Sequence, residues 1–212
     1  MEDFIQYIKC PTHSYGFKKI NWQEFFLLLG FYIVAVISIG MFLFIVSLFL
    51  HVEHKNISLT FYERIIFAVL LAPIIEESLF RLLLVFNKRN LFYFFVMCVG
   101  LFITFLVRES YFKLFLFILL SLISIIIYFY FEVIKSFLVK NYRCFFYFIV
   151  VLFAVLHLFN FNGINSHNLF VAIILVVPQI ILGLILGYLR IKYGIAYSIL
   201  FHAIVNLSVL LS

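Results

Sequence analysis

The stretch Ala72-Pro73-Ile74-Ile75-Glu76-Glu77-Ser78-Leu79-Phe80-Arg81 sets two adjacent carboxylates and an arginine inside a run that otherwise reads as a membrane span. A charge near the bilayer centre costs on the order of 3 to more than 10 kcal/mol, depending on the reference state, so intramembrane ionisable residues are functional candidates by default. Elsewhere in the long apolar segments, strongly polar chemistry is confined to His157, His202 and Asn206. Any function of this chain is to be sought among these few side chains.

The surrounding composition agrees with a membrane setting. Of 212 residues, 67% are hydrophobic and 11% charged, with a mean hydropathy of +1.24. A soluble domain is about 45–50% apolar and about 25% charged, so a water-soluble fold is excluded. The net charge of +6 is not gathered in one patch; its charges stand at the ends of apolar segments. That is the footprint of membrane topology, and it gives no face for nucleic acid. Cys10, Cys98 and Cys144 show neither ligand spacing nor a pairing pattern.

A spanning helix needs about 20 apolar residues. Seven segments qualify, at 25–50, 63–86, 91–107, 114–131, 144–160, 169–189 and 194–211. An all-α, polytopic transmembrane bundle of about seven spans follows. Residues 1–24 form an N-terminal cytoplasmic or interfacial segment, and 25–212 form the transmembrane domain. The third and fourth spans are parted only by a short charged stretch around Arg108–Lys113, as in a tight hairpin. Residues 160–168 are uncharged, polar and turn-rich, and read as a mobile external loop. His51, His54 and His167 sit at span ends, where solvation accounts for them.

Orientation follows from the loops. A cytoplasmic N-terminus puts Lys9, Lys18, Lys19, Lys88, Arg89, Lys135, Lys140, Arg143, Arg190 and Lys192 inside, against Lys55, Arg64, Arg108 and Lys113 outside. At about 1.5 Å per helical residue from these inner charges, Glu76 lies about 18 Å deep, His157 about 21 Å, His202 about 15 Å and Asn206 about 21 Å. Four polar residues from three separate spans thus meet near one level, which points to a shared site.

Glu77 and Arg81 are spaced i,i+4 and can pair. Glu76 lies about 100° further round the helix and has no such partner. It is the candidate general base for activating water. His202 and Asn206 are again i,i+4 and can aim two donors at one point, as an oxyanion hole requires. Zinc is a further possibility, with Glu76, His157 and His202 as the candidate ligands. No His-Glu-x-x-His occurs to favour it, and no cofactor is required by the residues present. Ser78 lies on a different helix face from Glu76, and there is no Gly-x-Ser-x-Gly elbow for a serine nucleophile.

Glu76-Glu77-Ser78-Leu79-Phe80-Arg81 resembles the EExxxR motif of the CPBP (CAAX protease and bacteriocin-processing, or Abi) intramembrane endopeptidases. Phe153 to His157 resembles their FxxxH motif, and His202 to Asn206 their HxxxN motif. The order agrees, and the resemblance spans roughly residues 60–211. Leu82 follows the motif arginine, where members of that family often carry glycine. The resemblance implies an all-helical membrane fold with a site open towards the cytosol, and proteolysis without a covalent intermediate. In that scheme Glu76 and His157 activate the water. His202 and Asn206 stabilise the tetrahedral oxyanion, and Glu77 and Arg81 support the site.

The expectation is an intramembrane endopeptidase of a bacterial plasma membrane, acting on a membrane-associated peptide or protein without a required metal. Two alternatives stand beside it. One is a non-catalytic bacteriocin self-immunity or scaffold protein that keeps the motif for stability. The other is a transporter or proton relay using the same buried acids and histidines.

Overall fold

The computed structural model describes residues 1–13, 16–47, 53–54, 60–107, 111–162 and 169–211. Of the features anticipated above, His51, the 108–110 connection and most of the polar loop, including His167, lie outside these residues. Apart from a two-residue antiparallel pairing of β1 (Glu53–His54) with β2 (Phe161–Asn162), every regular element among the described residues is helical. The helices are α1 (Glu2–Lys9), α2 (Trp22–Ser47), α3 (Phe61–Arg64), α4 (Ala72–Phe80), α5 (Lys88–Val107) and α6 (Tyr111–Phe129), followed by α7 (Phe131–Lys140), α8 (Tyr142–Leu156), α9 (Leu169–Lys192) and α10 (Ile195–Leu211). A π-helix, Ile65–Leu71, links α3 to α4, and 3-10 turns follow α4 (Leu82–Leu84) and α8 (His157–Asn160).

Among the described residues each of the seven apolar stretches is mostly helical. Three helical segments among the described residues are long and apolar enough to cross a bilayer, Trp22–Phe42, Tyr142–Asn160 and Ile173–Lys192. A fourth is reached if α6 and α7, bent by 97° at their junction, make one crossing. α10 is equally apolar but shorter. The chain is therefore a helical membrane protein, with side chains such as Phe26, Val34, Met41, Phe92 and Phe148 turned outward as a lipid-facing surface.

α9 is the axle of the bundle. Leu182, Ile185, Leu186 and Leu189 are 0–2% exposed, and α9 touches α1, α2, α8, α10 and both 3-10 turns. In lipid, apolar burial does not drive helices together; close packing does, and small residues permit it. Gly183 and Gly187 do this on α9. A Cβ on Gly187 would fall 2.6 Å from Phe146 Cε2, and one on Gly183 would fall 3.2 Å from Val150 Cγ1. The sequence reading passed over this Gly-x-x-x-Gly spacing, although it is plain in the residues.

The N-terminal segment contains one short helix, α1. α1 buries Phe4 against Tyr188 and exposes its charged residues. Lys192, at the end of α9, joins α1 to α2 by bonding Asp3 at 2.9 Å and Glu24 at 2.8 Å. Past Tyr193, Gly194 turns the chain with φ +105°, a conformation that suits glycine, and its N–H closes on Leu189 O.

The expected single span over 63–86 is not one regular helix. Thr60 and Glu63 form a reciprocal capping box at its start. The chain then winds in π register to Leu71, returns to α at Ala72 with Pro73 in the first turn, and ends in a 3-10 turn after Arg81. Proline fits the first turn because the N–H it lacks is needed least there. The depth of Glu76 reckoned from Lys88 assumed continuous helix, an assumption the break after Phe80 removes. α5 and α6 pack along each other, as a hairpin requires.

Candidate active site

α4, α8 and α10 meet around Glu76. Its Oε2 lies 3.7 Å from His157 Nε2 and 3.7 Å from His202 Nε2. Glu76 is 29% exposed and His157 18%, whereas His202 is 2% exposed. The group is open on the α4–α8 side and closed on the α10 side.

The opposite nitrogens fix the chemistry of both rings. His157 opens the 3-10 turn after α8, and its Nδ1 lies 2.8 Å from the carbonyl of Phe153. A carbonyl only accepts, so Nδ1–H donates to it and Nε2 faces Glu76. His202 Nδ1 lies 3.1 Å from Glu77 Oε1. Nδ1–H donates there too, and Nε2 again faces Glu76. Two imidazole nitrogens and one carboxylate oxygen therefore converge on one place.

Glu77 and Arg81, the pair expected from their spacing, are buried at 0% and 1% exposure and lie 3.5 Å apart. Ser198 Oγ donates a short hydrogen bond to Glu77 Oε2, and it also contacts Leu186 O at 3.2 Å. Glu77 is thus held by Arg81, His202 and Ser198, whereas Glu76 Oε2, itself buried, has no hydrogen-bond partner among the described residues. Two neighbouring carboxylates are given opposite surroundings by a rotation of one residue.

Phe153 explains the aromatic position of the Phe-x-x-x-His pattern. Arg81 Cζ sits 3.8 Å above its ring centroid, the ring packs at 4.4 Å on His157 and edge-on at 5.9 Å to His202. A desolvated cation–π contact of this kind is worth about 2 kcal/mol.

Arg190 holds the lower edge of the site. Read from sequence as an inner-face charge, it is buried, and it donates to Arg81 O at 3.1 Å and Leu82 O at 3.3 Å. These carbonyls lie where α4 ends, and Arg81 O also accepts from the Leu84 N–H at 3.2 Å. Leu82 packs with Phe94 and Cys98.

Five of the six expected residues come together: Glu76, Glu77, Arg81, His157 and His202. Asn206 stands apart, with Nδ2 donating to Ala68 O at 2.8 Å. Ser198, Phe153 and Arg190 were not singled out as site residues from the sequence. Ser198 was within reach, because Ser198, His202 and Asn206 repeat at i,i+4,i+8 along one face of α10. Among the described residues no three His, Cys, Asp or Glu side chains are grouped as a metal-binding set, Glu76, His157 and His202 included. Cys10, Cys98 and Cys144 are unpaired.

No protein-family model matches this chain, and no curated protein or solved structure matches it either.

Proposed function

We propose that the chain is an intramembrane endopeptidase that hydrolyses a membrane-associated peptide or protein with water activated by Glu76 and His157. The observation that carries this is the convergence of Glu76 Oε2, His157 Nε2 and His202 Nε2 from three separate helices, at 3.7 Å for each imidazole. A water that donates both hydrogens to two of these acceptors turns its lone pair outward, as a nucleophile. Transfer of its proton to Glu76 during attack on the scissile carbonyl is general-base catalysis, worth about 10²–10⁴-fold. Glu76 then returns that proton to the leaving amine as the C–N bond breaks, while His202, held by Glu77 and protonated from solvent, offers Nε2–H to the oxyanion. Glu77, Arg81 and Ser198 keep that ring in place. The oxyanion role implied for Asn206 by the family resemblance would fall to the second N–H of its amide, since one already donates to Ala68 O.

In this proposal all seven helical stretches cross a bacterial plasma membrane, with the N-terminus in the cytoplasm and no metal taking part. The test compares membranes expressing the wild-type chain with membranes expressing Glu76→Gln at equal level. A peptide or protein that stays uncut only with the variant identifies the substrate, and its cleavage by the wild type persists in a chelator. Identical profiles, with both versions rescuing the same phenotype, favour a self-immunity or scaffold role instead.

A further inference from the structure

α10 touches the Glu76-bearing segment at three levels. Ser198 and His202 bond Glu77, and one further turn along, Asn206 Nδ2 bonds Ala68 O at 2.8 Å. The last contact has a specific cause in the backbone. At the end of the π-helix the Ala72 N–H closes on Phe67 O, five residues back. Ala68 O thereby loses the donor that an α-helix would supply. The next donor in π register is residue 73, and Pro73 has no N–H. Ala68 O is thus orphaned by two adjacent features of its own helix, and a carbonyl at membrane depth must find a partner. Asn206 supplies it from α10.

Without that partner the simplest repair is for Ala72 N–H to move to Ala68 O. This converts the last π turn to α and shifts the phase between the two halves of the segment by one residue, about 100°. Glu76 lies downstream of that junction and Ala68 upstream. We infer that Asn206 is a positioning residue, whose bond to Ala68 O holds the π register and so points Glu76 at His157 and His202. The role presumes the hydrolytic site proposed above, and it differs from direct contact with the oxyanion.

Pro73 provides the test, because Pro73→Ala restores an N–H that can reach Ala68 O without Asn206. Wild type, Asn206→Ala, Pro73→Ala and the double variant are reconstituted, and melting temperature, kcat and KM are read as a double-mutant cycle. Asn206→Ala alone is expected to lower kcat about tenfold, the size of one lost hydrogen bond, with KM little changed. In the Pro73→Ala background the same change leaves both kcat and melting temperature nearly where Pro73→Ala set them. Asn206→Leu, which keeps the approximate shape but has no donor, behaves as Asn206→Ala. Equal losses from Asn206→Ala in both backgrounds overturn the inference and return Asn206 to the oxyanion. If no cleavage is found with any version, the hydrolytic proposal fails, yet the melting-temperature cycle still decides whether Asn206 acts through Ala68 O.

Discussion

Glu76 and Glu77 are chemically identical and adjacent, and their surroundings assign them different work. Glu77 is fully buried with Arg81, His202 and Ser198 around it. Removing one partner of a buried pair leaves the other uncompensated, at about 3–5 kcal/mol. Glu77→Gln is therefore expected to lower the melting temperature of the detergent-solubilised protein sharply, or to prevent its accumulation. Glu76 lacks a comparable partner and is partly exposed, so Glu76→Gln leaves the fold intact. The Glu77–Arg81 pairing was legible in the sequence because i,i+4 spacing on a helix brings side chains together wherever the helix lies. The Asn206–Ala68 contact was not, because residue types do not announce a π turn, and only that turn with Pro73 exposes the carbonyl.

Helices in this chain are fitted to one another by a few small or buried polar groups. Gly187 sets the approach of α9 to α8, and its missing side chain makes room for Phe146. Gly187→Ala forces Phe146 to move, and overpacking of this sort costs about 1–3 kcal/mol. A lower melting temperature for Gly187→Ala, with a smaller fall for Gly183→Ala, is the expected order, since the contacts at Gly183 are the looser ones. The helical character of the apolar stretches was readable from apolar length alone, and among the described residues each of them is mostly helical. The interruptions between Ile65 and Val85 were not readable, because π and 3-10 turns differ from α-helix in backbone bonding rather than in composition. The pairing of α8 with α9 was available from the Gly-x-x-x-Gly spacing, a packing signal rather than a hydropathy one.

For the molecule as a whole, hydropathy places the chain in a membrane and three helical segments meet the length for crossing it. The proposed orientation sets α1 on the cytoplasmic side, where Lys192 ties it to the end of α9. Cys10 is exposed just beyond α1, and Cys98 is buried. A membrane-impermeant thiol reagent should label Cys10 in permeabilised cells and not in intact ones, with Cys98 silent in both; labelling of Cys10 in intact cells reverses the topology. The central claim is that Glu76, His157 and His202 form a hydrolytic centre. Its most direct test is the cleavage rate of the trapped substrate by reconstituted wild-type and Glu76→Gln protein, with melting temperatures taken on the same preparations. The account predicts a loss of at least about 10²-fold in cleavage, the least that a general base contributes, with the melting temperature unchanged. Cleavage by Glu76→Gln at the wild-type rate, from a protein that melts normally, would contradict it.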